Sequence, residues 1–140
     1  MAQNILEENL FFLTGALSRK LSKEADDAFA SIGLSSSHAL ILVMINRDPE
    51  IQPSTLAKKL HLKPSTITRL VQKLERRKLV ERESKGRATA IVCTTKGNEL
   101  AEDVHETWEQ LLEEKEEQLG ERYVHVFAEM IENAIDTMDE

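Results

Sequence analysis

Residues 51–74 read IQPSTLAKKLHLKPSTITRLVQKL and predict two short helices joined by a tight turn. Pro53 and Pro64 each stand where a helix begins, because a first-turn residue has no intrahelical partner for its N–H. Ala57 is small enough to let the two helices cross closely. This pattern predicts a helix-turn-helix in which six apolar side chains pack between the helices, namely Leu56, Leu60, Leu62, Ile67, Leu70 and Val71.

The second helix of this pair is predicted to run from Pro64 to about Arg77, with a polar outward face. Such a helix fits the major groove of DNA, with its N-terminal residues nearest the base edges. Arg and Gln can read guanine and adenine there, and Ser or Thr at the helix start can help to hold a phosphate. A solvated amphipathic helix is the alternative. The residues expected to contact DNA from the helix-turn-helix are Ser54, Thr55, Lys63, Ser65, Thr66, Thr68, Arg69, Gln72, Lys73 and Arg76.

Two apolar or β-branched runs, residues 79–82 and 89–94, predict a β-hairpin after the second helix. Residues 84–87 (Ser-Lys-Gly-Arg) are predicted to form its turn. Lys85 and Arg87 would then sit on a narrow projection that suits a minor groove or flanking phosphates. An ordinary basic turn on an edge hairpin is the alternative interpretation.

Positive charge is concentrated around these elements. Between Gln52 and Gly97 there are twelve Lys/Arg against three acidic residues, a net charge of +9. The remainder holds six Lys/Arg against 22 acidic residues, a net charge of −16, which gives −7 overall. This distribution indicates a nucleic-acid face on a body that acidic residues keep soluble.

Long helices are predicted on both sides of this basic region. Apolar residues recur at helical spacing from residue 4 to about residue 30, and the helix is expected to stop near Gly33. Ser35 or Ser36 is expected to cap a second helix over residues 38–46.

Thr94 or Thr95 is expected to cap a long helix that Gly120 interrupts, and a last helix begins at Glu121. The apolar seams of the terminal helices are too long for one small winged domain to cover, so a second subunit is expected to bury the surplus. The seams of the last two helices are Leu100, Val104, Trp108, Leu111, Leu112 and Leu119, followed by Val124, Phe127, Ile131, Ala134, Ile135 and Met138.

The predicted fold is mainly α with a small two- to three-stranded β wing, a winged helix-turn-helix flanked by dimerisation helices. Residues 1–32 are expected to form the N-terminal dimerisation helix, 33–97 the DNA-binding region and 98–140 the C-terminal dimerisation helices, as one intertwined domain. Two-fold symmetry would present two recognition helices to successive major-groove segments.

Composition excludes several function classes. One cysteine in 140 residues rules out an intrachain disulfide framework, and neither a signal peptide nor a transmembrane run is apparent. We therefore expect a cytoplasmic protein without a membrane partner. No phosphate loop, HExxH, CxxC or nucleophile elbow occurs, so we expect neither an enzyme nor a cofactor.

The motif LxxxLxLxxSTxTRLxxxLExxxLVxR at residues 56–82, with TxKG at residues 94–97, resembles the MarR (multiple antibiotic resistance regulator) family. Its most specific piece is the run Ser-Thr-Ile-Thr-Arg-Leu at residues 65–70. The resemblance implies a homodimer that binds a pseudo-palindromic operator and represses transcription until a ligand or oxidant releases it. It also implies recognition-helix roles for residues 65, 66, 68, 69, 72 and 73 and a wing role for Arg87.

Two positions depart from the family pattern. Members often place an acidic residue and two arginines in the wing, whereas this chain has Lys85, Gly86 and Arg87 in a shorter wing. Lys78 occupies the position of the glycine that usually ends the recognition helix.

Three kinds of signal could control such a regulator: oxidation of a thiol, a metal ion or a small effector. Cys93 is the only thiol, but it falls on a predicted strand at a position that the family fills with an apolar residue, which favours an inert buried thiol. Scattered histidines at 38, 61, 105 and 125 do not form a recognisable zinc site, so no metal is expected. A small apolar or phenolic effector is the remaining candidate, with Phe11, Phe12, Phe29, Met44 and Trp108 either lining its pocket or, as we favour, belonging to the core.

We therefore predict a sequence-specific double-stranded DNA-binding regulator, a ligand-responsive repressor that acts as a homodimer. A winged-helix module that binds an acidic protein and a non-specific architectural DNA binder are the alternatives.

Overall fold

The computed structural model describes residues 9–86 and 88–139. It divides into two compact units, one ending at Val104 and one beginning at His105. Helix α5 begins in the first unit and ends in the second. The elements are, in order, α1 (Leu10–Phe29), a 3-10 turn (Ala30–Ile32), α2 (Ser36–Arg47), α3 (Pro53–Leu60), α4 (Pro64–Arg76), β1 (Val80–Lys85), β2 (Ala88–Cys93), α5 (Thr95–Leu119) and α6 (Glu121–Met138).

Helix α1 ends as its sequence predicts. After Phe29 the chain tightens into the 3-10 turn and then reverses at Gly33, whose φ of 71° is left-handed. The predicted start of the helix at residues 4–8 lies outside the described residues. Within them, the side chain of Asn9 caps the helix by accepting a hydrogen bond from the Phe12 N–H at 3.3 Å.

The cap of α2 is Ser35, one of the two predicted candidates. Its Oγ accepts a hydrogen bond from the His38 N–H at 3.3 Å. Oδ1 of Asp26 accepts from the Ser36 N–H at 2.8 Å, and this bond holds the pKa of Asp26 below its ordinary value. With these donors satisfied, α2 begins two residues earlier than predicted and ends one later, at Arg47.

The core of the first unit lies where α2 meets α1, α4 and β2. The inner face of α2 is buried in this core, and α2 is accordingly the most apolar helix of this unit. No polar or charged residue is buried among the described residues. The largest fully buried side chains are Phe29, Ile41, Leu42, Ile45, Leu56, Ile67, Leu74, Leu79, Ile91, Val71, Val80 and Val104.

Helices α3 and α4 form the predicted helix-turn-helix. Ala57 is 5% exposed at their contact, as expected for a small residue where two helices cross. Leu60 and Leu62, also predicted between the helices, are half-buried. They flank His61, whose left-handed φ of 55° ends α3.

The β-hairpin confirms the predicted wing but moves its turn. Ser84 pairs with Thr89 and Lys85 with Ala88, so Ser84 and Lys85, two of the four residues predicted in the turn, belong to β1. The chain leaves β1 at Gly86, whose φ of 62° suits the primed turns that match strand twist. The wing was predicted to have two or three strands, and a third is represented only by a single β-bridge between Ile51 and Ile91. In this bridge the Ile91 N–H donates to the Ile51 carbonyl at 3.1 Å.

Helix α5 starts against the base of β1. Thr94 is the cap, because its Oγ1 accepts from the Gly97 N–H at 3.0 Å. The same hydroxyl donates to the Lys78 carbonyl at 2.7 Å, which ties the helix start to the end of α4.

The second unit consists of the rest of α5 and of α6. The helices are separated at Gly120, whose φ of 103° few other residues adopt. Tyr123 and Phe127 meet edge to face, with ring centroids 6.0 Å apart. No described residue of α6 is buried, and Met130 and Met138 are 63% and 81% exposed.

Among residues 9–86 and 88–139, no single helix is long and apolar enough to cross a membrane. The helical segments Leu10–Ile32 and Ser36–Arg47 meet the requirement only together, by length and composition, and are bent by 72°.

Candidate nucleic-acid interface

The outward face of α4 is polar because its apolar residues all turn inward. Ile67, Leu70, Val71 and Leu74 are 8% exposed or less, and they hold the helix against α2, α3 and β1. The remaining residues of the predicted recognition face stand on the opposite side. Ser65, Thr68, Arg69, Gln72 and Arg76 are exposed, and Thr66 and Lys73 are half-buried.

The start of α4 leaves the Ser65 N–H for an external acceptor. Pro64, the first residue, has no N–H, and Lys63 caps the helix without a side-chain hydrogen bond. The Thr66 N–H donates to the Lys63 carbonyl at 3.0 Å, so the Ser65 N–H and the hydroxyls of Ser65 and Thr66 are the donors at this end. Thr68 is engaged locally, because its Oγ1 donates to the Pro64 carbonyl at 3.0 Å. This helix start can receive a phosphate.

Helix α3 adds a second basic surface that sequence reasoning valued too little. Ser54 and Thr55, both predicted DNA contacts, share one open depression with Lys58, Lys59 and His61. Lys58, Lys59 and His61 are not among the predicted DNA contacts. The spacing of four residues from Ser54 to Lys58 and from Thr55 to Lys59 was the available signal, because it puts each pair on one side of the helix.

Two of the predicted DNA contacts, Lys85 and Arg87, belong to the wing. Lys85 is the last residue of β1, next to Gly86 at the tip of the hairpin. Arg87 lies outside the described residues, so its predicted contact stays a prediction. The hairpin itself carries an exposed Arg82 further from the tip.

Three cations of the basic segment make contacts within the first unit. Nε of Arg82 lies 3.0 Å from Oε1 of Glu75 and joins β1 to α4. Nη1 of Arg77 donates to the Gly33 carbonyl at 3.1 Å, and Nζ of Lys96 donates to the Arg77 carbonyl at 3.3 Å. These bonds position α4 and the wing on the core.

Lys78 resolves how α4 ends without the glycine that the family pattern expects. Its φ is 60°, a left-handed value that an L side chain adopts at a cost. The Lys78 N–H donates to the Glu75 carbonyl at 2.9 Å, and the Leu79 N–H donates to the Leu74 carbonyl at 3.0 Å. The helix therefore ends in the usual geometry, held by a lysine.

Cys93 has the surroundings of an unreactive thiol. It is half-buried at the end of β2, with Sγ 3.8 Å from the Leu42 carbonyl. Burial raises the pKa of Cys93 to about 11, so it stays a thiol at neutral pH.

The four histidines are dispersed. His105 pairs with Glu109 at 2.8 Å and His125 with Glu129 at 3.0 Å, each one helical turn apart. Within the described ranges, no three His, Cys, Asp or Glu residues come together to hold a metal ion. Burial, and then the charges of Lys73, Arg69 and Arg77, hold the pKa of His38 below its usual value.

The five large side chains considered for an effector pocket do not share one environment. Phe29 is core, at 1% exposure, and Met44 and Trp108 are half-buried. The preference for a core role was wrong for Phe11 and Phe12, which are 87% and 69% exposed. They lie in the first turn of α1, where no described part of the first unit covers them.

The sequence profile of the MarR family matches residues 32–88. The HTH-type transcriptional regulator SarZ of Staphylococcus saprophyticus is 26% identical over 121 residues, covering 84% of this chain and 83% of SarZ. CouR from Rhodococcus jostii RHA1, bound to p-coumaroyl-CoA, superposes with a TM-score of 0.83 at 22% identity and covers 94% of this chain and 95% of its own. MepR of S. aureus, in a complex with DNA, gives 0.81 at 19% identity and covers 95% and 99%.

Proposed function

We propose that the chain is a transcriptional regulator of the MarR family, whose profile matches residues 32–88, and that it recognises a pseudo-palindromic operator in double-stranded DNA as a homodimer. The observation that carries this proposal is the outward face of α4, where polar and cationic side chains stand on a helix held rigidly by its buried side. The proposed role is regulatory and not enzymatic. The cytoplasm is the compartment that this function requires.

The side chains of α4 are proposed to contact different parts of the DNA, according to their position and length. Ser65 and Thr66 stand at the helix start, where backbone N–H groups favour a phosphate. Arg69 and Gln72 lie one turn further and are long enough to reach base edges in a major groove. Lys73 and Arg76 are placed to contact phosphate along the groove wall.

A homodimer is proposed because apolar side chains are exposed within each unit. In α1, Leu10, Phe11 and Phe12 are between 68% and 87% exposed, and α6 exposes Tyr123 and Met130 at 57% and 63%. Exposed apolar surface of this kind marks an interaction site. Two-fold pairing would set two α4 helices about one helical turn of DNA apart.

We further propose that the protein represses transcription and that a small apolar or phenolic effector relieves this repression. CouR supports this part, since it binds a coenzyme A thioester with a phenolic acyl group. Release of a bound duplex by such a compound, with no release by a non-aromatic thioester, is the expected result of a fluorescence anisotropy titration.

Removal of the Arg69 side chain tests the DNA-reading role of α4. We expect Arg69→Ala to weaken binding to a duplex selected by the wild type by roughly 1–3 kcal/mol, because a bidentate contact to a base is lost. Arg122→Ala is the matched control, since Arg122 is an exposed arginine of α6 outside the basic segment. Anisotropy titrations at fixed salt measure both variants.

Wild-type affinity in Arg69→Ala would remove α4 from base recognition. If Arg69→Ala instead lost the same affinity for the selected and the mixed-sequence duplex, Arg69 would contact phosphate. That result would favour an architectural DNA binder. Failure of the wild type to bind any duplex would favour an acidic protein partner.

A further inference from the structure

His38 lies where the start of α2 meets the flank of α4, and the proposed function does not use it. Arg69, Lys73 and Arg77 recur at every fourth residue of this helix and its cap, so they form one stripe. Arg77 at the end of the stripe donates to the Gly33 carbonyl at 3.1 Å. Gly33 lies three residues before the first residue of α2, so this bond sets the end of the stripe near the first turn of α2.

The imidazole of His38 is half-buried next to these cations. Its Nδ1 lies 2.6 Å from the Oγ of Ser35, and among the described residues its Nε2 makes no hydrogen bond. Burial is the largest cause that holds the pKa of His38 below its usual value, and the charges of Lys73, Arg69 and Arg77 follow in that order.

Other ionisable groups near the start of α2 are engaged elsewhere. Asp26 of α1 accepts a hydrogen bond from the Ser36 N–H. Cys93, the ionisable side chain of β2, has its sulfur at the Leu42 carbonyl, further along α2. The groups that act on the His38 ring are therefore the three cations of α4.

We propose that His38 is a proton-dependent contact to a DNA phosphate beside α4, so that the protein takes up a proton at this ring when it binds DNA. The inference rests on the proposed function, because Arg69 and Lys73 are among its DNA contacts. In the free protein the cations repel a proton on the ring. A phosphate that approaches them neutralises this repulsion and gives a protonated ring a charged partner.

The sign of the pH dependence follows from this exchange. Above the pKa of His38 in the complex, the ring is neutral with and without DNA, and affinity does not depend on its titration. Between that value and the lower pKa of the free protein, the complex holds one more proton. Affinity therefore rises as pH falls through this window, by at most about tenfold per pH unit.

The test compares wild type with His38→Gln from about pH 8 to about pH 5.5, a range that spans the ordinary histidine pKa. Glutamine does not titrate, and at this position it can complete a capping box with Ser35, which preserves α2. His105→Gln is the control, since His105 belongs to the second unit. The probes are a duplex selected from random DNA by the wild type and a mixed-sequence duplex, because a phosphate contact acts on both.

We expect the affinity of wild type and His105→Gln to rise roughly tenfold more than that of His38→Gln over this range, which corresponds to about one unit of pKa difference. The His38 ring, followed by NMR, should titrate at higher pH in the complex than in the free protein. The same pH dependence in His38→Gln and wild type would overturn the inference and leave DNA binding intact. Absence of binding to either duplex at every pH would overturn the proposed function and the inference with it.

Discussion

At Gly97, the main chain of α5 passes close to Leu79, the residue before β1. A Cβ at this position would lie 1.9 Å from the carbonyl oxygen of Leu79, and 2.9 Å from its carbonyl carbon. Backbone atoms cannot yield as a flexible side chain does. Glycine is therefore required by the close approach of two segments, and this approach fixes where α5 leaves the wing.

Gly97→Ala is expected to destabilise the protein by roughly 1–3 kcal/mol, the usual cost of forcing extra volume into a packed site. Urea denaturation followed by circular dichroism measures the change. Gly15→Ala in α1 is the control, because its Cβ would meet only the flexible end of Arg19 at 3.3 Å. That substitution should stabilise the protein by about 0.5–1 kcal/mol through helix propensity. Equal stability of Gly97→Ala and wild type would refute the close approach.

At the scale of elements, helix ends were predictable because each is set by a few local residues. Pro53, Pro64 and Gly120 acted as expected, and the alternatives at the caps of α2 and α5 resolved to Ser35 and Thr94. Pairing across the wing was less predictable. The sequence predicted a turn over residues 84–87, whereas strand pairing continues to Lys85 and Ala88.

The outward-facing residues of α4 were also predictable, because apolar spacing alone decides which side of a helix is buried. The structural roles of Arg77, Arg82 and Lys96 were not, since their partners are distant in sequence or are backbone carbonyls.

The end of α4 carries a prediction of its own. Lys78→Gly should stabilise the protein by up to about 1 kcal/mol, because glycine adopts a positive φ without the cost that an L side chain bears. Lys78→Ala keeps the Cβ and removes the charge, so it should give no such gain. Thermal unfolding of the two variants separates these effects. A gain in Lys78→Ala equal to that in Lys78→Gly would show that charge, and not backbone strain, is being relieved.

At the scale of the whole molecule, charge and exposed apolar surface separate along the sequence. The net +9 between Gln52 and Gly97 coincides with α3, α4 and the wing, and acidic residues prevail in α5 and α6. Acidic helices repel DNA, so binding is expected to be confined to the basic elements. Exposed apolar residues of α1 and α6 are then available for a partner subunit.

A charge placed on the apolar stripe of α6 should weaken dimerisation. Tyr123, Val126 and Met130 share one side of this helix and are 57%, 37% and 63% exposed. We expect Met130→Glu to raise the dimer dissociation constant at least about tenfold, since burial of such a side chain contributes roughly 1.5–3 kcal/mol. His125→Glu places the same residue at an exposed position on the side of α6 away from both this stripe and the predicted seam, and serves as the control. Sedimentation equilibrium showing a monomeric wild type, or an unchanged Met130→Glu dimer, would contradict this interface.

The central claim is that the face of α4 reads a DNA sequence. Its most direct test is the ratio of wild-type affinities for a duplex selected from random DNA and for a mixed-sequence duplex, at one physiological salt concentration. Sequence-specific regulators bind their sites roughly 10³-fold or more tightly than other DNA, and we predict a ratio in that range. A ratio near one would contradict the account.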